Sequence, residues 1–405
     1  MRFLNLKLPN HAKFMARSPL ASGILSGKIN KETLFQCDDH RSQWLKEDRL
    51  KSIMKRVDEI KKVFESNWIG RGEYVKEFEN KFALSLNQSP NNFFSLNSCT
   101  EGLFLAAKVF DFGIGDEIIV PTISFIAVGS MVIDSGAKLV LCDVDKYSLN
   151  ATAEAISKKI TSKTKAIVLN HYGGHPCEMD SIIALAKNNN IFLIEDSACA
   201  VRSFYKGQAC GTLGDMGLWS FDAMKMIVTG DGGMVYIDSS ELIKTAKELC
   251  YLGLPVSSSS GIDKSSDEEG IWWEVQINQL GRRSIMNNIT AAIGTIQVDR
   301  LDGFISKRKE IYDSYNNAFF NQEGIKTPPE LFKDCTNSYY FYWIQVDNRD
   351  ELAAFLKENG VYTTFRYWPL NKVKYFNIDN SLSFPNTEFA SNSCLLYTSP
   401  SPRDS

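Results

Sequence analysis

Ser220-Phe221-Asp222-Ala223-Met224-Lys225-Met226-Ile227-Val228-Thr229-Gly230-Asp231-Gly232-Gly233 places a lysine between a strand-like run and a glycine-rich turn. A serine lies five residues upstream of Lys225. This arrangement suits an amine presented from the end of a buried sheet. Such an amine turns nucleophilic when desolvation or a neighbouring cation lowers its pKa. The chemistry it suggests is a Schiff base between Lys225 and pyridoxal phosphate, with Ser220 donating to the phosphate. An ordinary loop lysine fits the same residues, so the rest of the chain must decide.

Three other stretches fit the same cofactor. Asn97-Ser98-Cys99-Thr100-Glu101 precedes an apolar helix, and a helix start offers free N–H groups and a positive dipole end to a phosphate. Ser and Thr are also the commonest structural N-caps. Pro121-Thr122-Ile123-Ser124-Phe125 follows a strand, and Phe125 can stack on a flat ring or simply pack in the core. Ile191-Phe192-Leu193-Ile194-Glu195-Asp196 is an apolar strand ending in two acids. Asp196 there can keep a pyridinium nitrogen protonated and the ring an electron sink, or cap the next helix.

These stretches need a scaffold. From Phe93, β-rich runs recur at 117–120, 138–142, 166–170, 191–195, 217–221 and 233–237. Helical candidates at 101–110, 125–133 and 180–188 lie between them. That alternation predicts an α/β fold, a mostly parallel central sheet flanked by helices, with ligands at the C-terminal ends of the strands. Gly113-Ile114-Gly115-Asp116 precedes a strand instead of joining one to a helix, so it is not a dinucleotide fingerprint. Upstream, apolar spacing predicts helices over 45–64 and around Val75, Phe78, Phe82 and Ala83. Downstream, a Ser-rich then acidic stretch at 256–270 reads as a mobile connection. A long helix from Asn287 to about 320 follows, bent near Asp302-Gly303. Strand, helix and strand over 340–346, 351–359 and 361–367 then predict a smaller α+β C-terminal domain. The expected division is an N-terminal extension at 1–45, a large cofactor-binding domain at 46–250, a small domain at 251–394 and a tail at 395–405. The tail, with its Ser-Pro-Ser-Pro run, completes no domain. It reads as flexible or as translated sequencing-adapter sequence, in which case the true C-terminus would be missing.

The totals set outer limits. With 405 residues, 44% hydrophobic and 23% charged, the chain has an ordinary globular composition. A net charge of -3 gives no basic field for nucleic acid or an anionic membrane, and no apolar run is long enough to span a bilayer. Nine scattered cysteines form no C-x-x-C pair and predict reduced thiols in the cytoplasm. His171, His175 and Cys177 imitate half of a metal cluster, but nothing supplies the second half, so no metal is expected.

Taken together, the motifs resemble the DegT/StrS-type nucleotide-sugar aminotransferases, which are fold-type-I, aspartate-aminotransferase-like pyridoxal phosphate enzymes. The resemblance runs from about Ser66 to Phe376. It rests on Gly113–Thr122, Ile160–Ile167, Glu195-Asp196-Ser197-Ala198, the Ser220–Gly233 block, and Met286–Gly294 as the opening of a C-terminal domain. It implies that Cys99, Thr100 and Ser220 bind phosphate, Phe125 stacks on the ring, Asp196 pairs with its nitrogen and Lys225 is both Schiff-base residue and proton shuttle. It sets Cys199 where the family carries a glutamine near the ring hydroxyl. It also sets Arg283 where an asparagine often reaches the partner subunit's phosphate, although a surface arginine fits that position equally. The family's final strand and helix are expected to be missing beyond Cys394.

The implied reaction is a ping-pong transamination in cell-surface polysaccharide or secondary-metabolite biosynthesis. An amino donor, glutamate by resemblance, loads the cofactor, and the amine then passes to a nucleotide-linked keto-sugar. The resemblance also implies a homodimer with shared active sites. Two other readings stand beside this one. Sugar-dehydrating relatives carry histidine in place of the lysine, which the retained Lys225 argues against. A non-catalytic, regulatory pyridoxal-binding relative is suggested by Cys199 and Arg283. Residues 256–270 and Tyr367-Trp368-Pro369-Leu370 are the expected sugar-contacting loops.

Overall fold

The computed structural model describes residues 29–37, 39–43, 46–255, 277 and 279–397. The expected connection at 256–270, residues 1–28 of the extension and residues 398–405 of the tail lie outside the described residues. Two compact units meet in the chain at Asn67 and Trp68.

In the first unit, α1 (Glu47–Glu65) buries Leu50 and Met54 together with Ile29, and Phe35 packs against them. This apolar stripe draws α1 to the residues before it, so the boundary expected after residue 45 falls after Asn67 instead.

The second unit opens with α2 (Glu73–Ser85), whose Val75, Phe78, Phe82 and Ala83 are buried at helical spacing. The alternating part then runs β1 (Phe93–Leu96), α3 (Cys99–Val109), β2 (Glu117–Pro121), α4 (Ile126–Asp134), β3 (Lys138–Cys142), α5 (Ala153–Ser157), β4 (Thr164–Asn170), α6 (Met179–Asn188) and β5 (Phe192–Asp196). A small hairpin, β6 (Phe204–Tyr205) and β7 (Gln208–Ala209), precedes β8 (Met216–Ser220), β9 (Gly233–Ile237) and α7 (Ser240–Leu249).

Seven of these strands form one sheet in the order β3-β2-β4-β5-β8-β9-β1. Only β9 runs against its neighbours. The strands bury both faces, which is why they read as nearly unbroken apolar runs. Period-two alternation splits their side chains between two cores. Ile118 and Val120 of β2 join Leu218 and Val235 in one, whereas Ile119 faces Ile167, Leu169 and Leu193 in another. Beside the latter, Phe93, Trp219 and Met234 pack with α2. The sheet is therefore the mostly parallel, helix-flanked one that the sequence predicts.

After the sheet come α8 (Asn288–Asp299) and α9 (Leu301–Phe319). The side chain of Asn287 caps α8 by accepting from the N–H groups of Ile289 and Thr290, 3.0 Å each. A Cβ on Gly294 would lie 2.6 Å from the Phe78 ring, so glycine is what lets α8 approach α2. The expected bend near Gly303 lies at Arg300, where the two helices meet. Gly303 sits inside α9, at a cost of about 1 kcal/mol relative to alanine.

The C-terminal sheet comprises β10 (Tyr342–Gln345), β11 (Thr363–Thr364) and β12 (Cys394–Tyr397), with α10 (Arg349–Glu358) after β10 and α11 (Pro385–Ser393) before β12. The strand expected over 361–367 shortens to two residues, because only these pair with Leu396 and Tyr397. Of the final strand and helix expected to be missing beyond Cys394, a strand is present, and residues 398–405 lie outside the described residues. Residues 394–397 form the central strand, antiparallel to β10 and β11, and the buried side chains of Leu395 and Leu396 are what the tail reading overlooked. No helix among the described residues is long and apolar enough to cross a membrane.

Candidate active site

Asn170, Asp196 and Ser220 are the last residues of β4, β5 and β8. All three face a cavity of about 350 Å³, closed on one side by the start of α3. Of the eight residues expected to form the site, Cys99, Thr100, Phe125, Asp196, Cys199, Ser220 and Lys225 line this cavity. Arg283 does not. It is exposed, with its guanidinium 5.4 Å from the ring centre of Tyr251.

Lys225 is carried on a turn that local chemistry fixes. Phe221 is fully buried, edge-on to Phe78 and Phe82 at 5.2 and 5.4 Å, and so anchors the turn in an aromatic core. The Lys225 N–H donates to the Asp222 carbonyl at 2.9 Å, and the Asp222 carboxylate accepts from the Met224 N–H at 2.9 Å. From the C-terminal sheet side, the Tyr340 hydroxyl donates to the Met224 carbonyl at 2.8 Å. Nζ ends 3.5 Å from Cys199 Sγ and 5.1 Å from the Tyr340 ring centre. Burial lowers the proton affinity of this amine, but the Cys199, Tyr340, Asp196 and Cys99 side chains outweigh it, and the net shift is upward.

The start of α3 offers the cavity a set of anion-binding donors. Ser98 is its N-cap and accepts from the Glu101 N–H at 3.2 Å. That hydrogen bond leaves the Cys99 and Thr100 N–H groups, at the positive end of the helix, for a ligand. A Cβ on Gly233 would lie 2.6 Å from the Cys99 nitrogen. Glycine at the start of β9 is thus what allows the helix start to sit against the sheet. Ser220, also buried, faces the same space.

Asp196 is 6% exposed, and Oδ1 accepts from the Ala198 N–H at 3.0 Å. Its other oxygen has no protein donor among the described residues. Burial pushes this carboxyl up, against the opposing pull of Lys225, the Ala198 N–H and His171. A cationic N–H supplied by a ligand would satisfy it.

Sequence reasoning missed several lining residues. Tyr340, Arg366 and Tyr367 come from the C-terminal segment, and Tyr172 from the turn after β4. None sits in a recognisable motif; the only signal was the placement of Tyr367 in a candidate sugar loop. His171, set aside as a false metal ligand, also lines the cavity. Its Nδ1 accepts from the Cys177 N–H at 3.1 Å, so Nε2 carries the proton and donates to Glu195 at 2.9 Å.

The donor set fits pyridoxal phosphate. Lys225 would meet the aldehyde, the buried and under-satisfied Asp196 carboxylate the ring nitrogen, and the α3 start with Ser220 the phosphate.

A profile of the DegT/DnrJ/EryC1/StrS aminotransferase family matches residues 51–400. The chain is 43% identical over 342 residues to dTDP-4-dehydro-2,3,6-trideoxy-D-glucose 4-aminotransferase of Saccharopolyspora spinosa, covering 84% of this chain and 88% of that protein. Among solved structures it is similar to the aminotransferase TlmJ of Streptoalloteichus hindustanus, with 41% identity, a TM-score of 0.78, and 85% and 90% of the two chains covered. It is also similar to DesV of S. venezuelae, solved in complex with a ketimine intermediate, with 25% identity, a TM-score of 0.75, and 85% and 88% covered. The chain belongs to the DegT/DnrJ/EryC1/StrS aminotransferase family and is a pyridoxal-phosphate-dependent transaminase.

Proposed function

We propose that this enzyme moves an amino group from glutamate to a keto-sugar carried on a nucleotide, within the biosynthesis of a surface polysaccharide or secondary metabolite. The observation that carries the site assignment is the convergence of Lys225, Asp196 and the α3 start on one cavity. The 43% identity to a nucleotide-sugar 4-aminotransferase supports the substrate class.

Bound pyridoxal phosphate supplies an electron sink and carries the amino group between two half-reactions. Lys225 Nζ would hold the cofactor and, freed by the incoming amine, would serve as the base that takes a proton from the substrate carbon and returns it. Its position on a turn held at Phe221 and Met224 fixes where that proton is delivered. Asp196 holds the ring nitrogen in its protonated state. The N–H groups of Cys99 and Thr100, with the Ser220 hydroxyl, orient the phosphate. Phe125, 45% exposed and 5.7 Å from the Tyr367 ring, offers a face for stacking. Glutamate leaves as 2-oxoglutarate, and the keto-sugar leaves as an amino-sugar.

We further propose that the enzyme works as a cytoplasmic homodimer with Arg283 reaching the partner subunit's site. All nine cysteines are free, consistent with a reducing compartment, and the exposure of Arg283 leaves it available to a second copy. Incubating the purified enzyme with glutamate and a panel of nucleotide keto-sugars tests the function. Formation of 2-oxoglutarate and amino-sugar in equal amounts is expected. Formation of 2-oxoglutarate with no amino-sugar from any of them would overturn the sugar assignment.

A further inference from the structure

The cofactor lysine does not stand alone in its cavity. Its Nζ is 3.5 Å from Cys199 Sγ, and that sulfur is 3.3 Å from the Tyr367 hydroxyl. Both ends of this chain of contacts are held. The Cys199 carbonyl accepts from the Ser338 hydroxyl at 2.8 Å, which fixes the cysteine backbone. The Tyr367 ring is flanked edge-on by Phe125 at 5.7 Å and by Tyr172 at 6.4 Å. Tyr172 in turn donates to the carbonyl of Arg366, the residue before Tyr367.

A thiol has one hydrogen and is a weak partner in either role. If the lysine N–H donates to the sulfur, the S–H is left to donate to the Tyr367 oxygen, and the tyrosine proton turns into the cavity. No hydrogen-bond partner for the Tyr367 hydroxyl other than Cys199 is found among the described residues. The tyrosine therefore fixes the direction of the thiol, and the thiol fixes a sulfur lone pair on Nζ.

We infer that Tyr367 is a positioning residue for Lys225, acting through Cys199 to hold the lysine nitrogen in place and to favour its protonated form. The inference rests on Lys225 being the cofactor lysine. The two side chains that carry it lie far apart in sequence, on the turn after β5 and after β11, so the contact couples the C-terminal segment to the cofactor site.

The test uses holoenzyme and the visible band of the lysine–cofactor linkage, titrated against pH. Tyr367→Phe is expected to lower the midpoint by about half a pH unit or more, roughly a threefold loss of proton affinity. Cys199→Ala should give the same shift, and it stands in for Tyr367→Phe if that variant folds poorly. In the Cys199→Ala background, adding Tyr367→Phe should give little further change, because the tyrosine acts through the sulfur. A double variant whose shift is the sum of the two single shifts, or an unmoved midpoint in both single variants, would overturn the inference. Failure of the underlying assignment has a separate signature, a visible band that persists in Lys225→Ala.

Discussion

Glu195 and Asp196 are adjacent on β5 and do opposite work. Glu195 is fully buried and accepts from the N–H groups of Gly211, Leu213 and Gly214 at 2.7 to 2.8 Å, as well as from His171. Asp196 accepts one backbone N–H and otherwise faces the cavity. Period-two geometry sends consecutive side chains to opposite faces of the sheet, so one acid ties down the 211–214 turn while its neighbour is left facing the cavity.

The pair should separate by mutation. Asp196→Asn is expected to fold normally and to lose on the order of 10²–10³-fold in kcat, as when a charge-stabilising group is removed from an active site. Glu195→Gln should lower stability by roughly 2–4 kcal/mol, because an amide cannot accept all these hydrogen bonds. Thermal melts and steady-state kinetics on both variants check this. A stable, active Glu195→Gln would refute the division of labour.

Lys225→Ala should abolish turnover together with the visible band of bound cofactor. Full transamination by this variant would remove Lys225 from its assigned role.

Gly233→Ala tests the fit of α3 against β9. The added methyl would sit 2.6 Å from the Cys99 nitrogen, forcing the helix start away from the phosphate position. Cofactor affinity is expected to fall about tenfold or more, roughly 1.4 kcal/mol. Fluorescence titration of apoenzyme with pyridoxal phosphate measures it, and wild-type affinity would show that the helix start does not hold the phosphate.

His175 gives the protein a built-in acid sensitivity. Burial, with a smaller contribution from His171, holds its imidazole at about 4 in the folded state, against 6.5 ordinarily. Below pH 6.5 the unfolded chain takes up a proton that the folded chain refuses. The stabilising contribution is therefore complete above pH 6.5 and is lost as pH falls toward 4, by roughly 3 kcal/mol. The ring is 1% exposed, and its Nδ1 has no hydrogen-bond partner among the described residues. His175→Phe should flatten the loss of thermal stability between pH 7 and 5, and an unchanged slope would assign the sensitivity elsewhere.

The sheet, and the residues that end up around the cavity, were legible in the sequence for one reason. Parallel strands buried on both faces leave unmistakable apolar runs, and their C-terminal residues, such as Asp196 and Ser220, become site residues by topology alone. Lys225 could be read because its serine and glycines are close in the chain. Tyr340 and Tyr367 could not, since their role depends on how a later segment folds back over β5, which no local spacing encodes. Glu195 could not be told apart as structural from the sequence, because the turn that uses up its oxygens lies more than fifteen residues downstream. Residues 395–397 were read as tail because a four-residue strand is too short to show alternation, and only its pairing with β10 and β11 identifies it.

That late strand has a consequence for biosynthetic timing. β10 and β11 do not pair with each other, because β12 lies between them. As the chain leaves the ribosome, both must wait with open edges until residues 394–397 have been made. Translation at about 5–20 residues per second makes that wait last seconds. Tyr340, Arg366 and Tyr367 flank those strands, so the nascent chain lays down Lys225 long before the wall opposite it exists. The cavity around Lys225 is therefore completed by one of the last described segments to be synthesised.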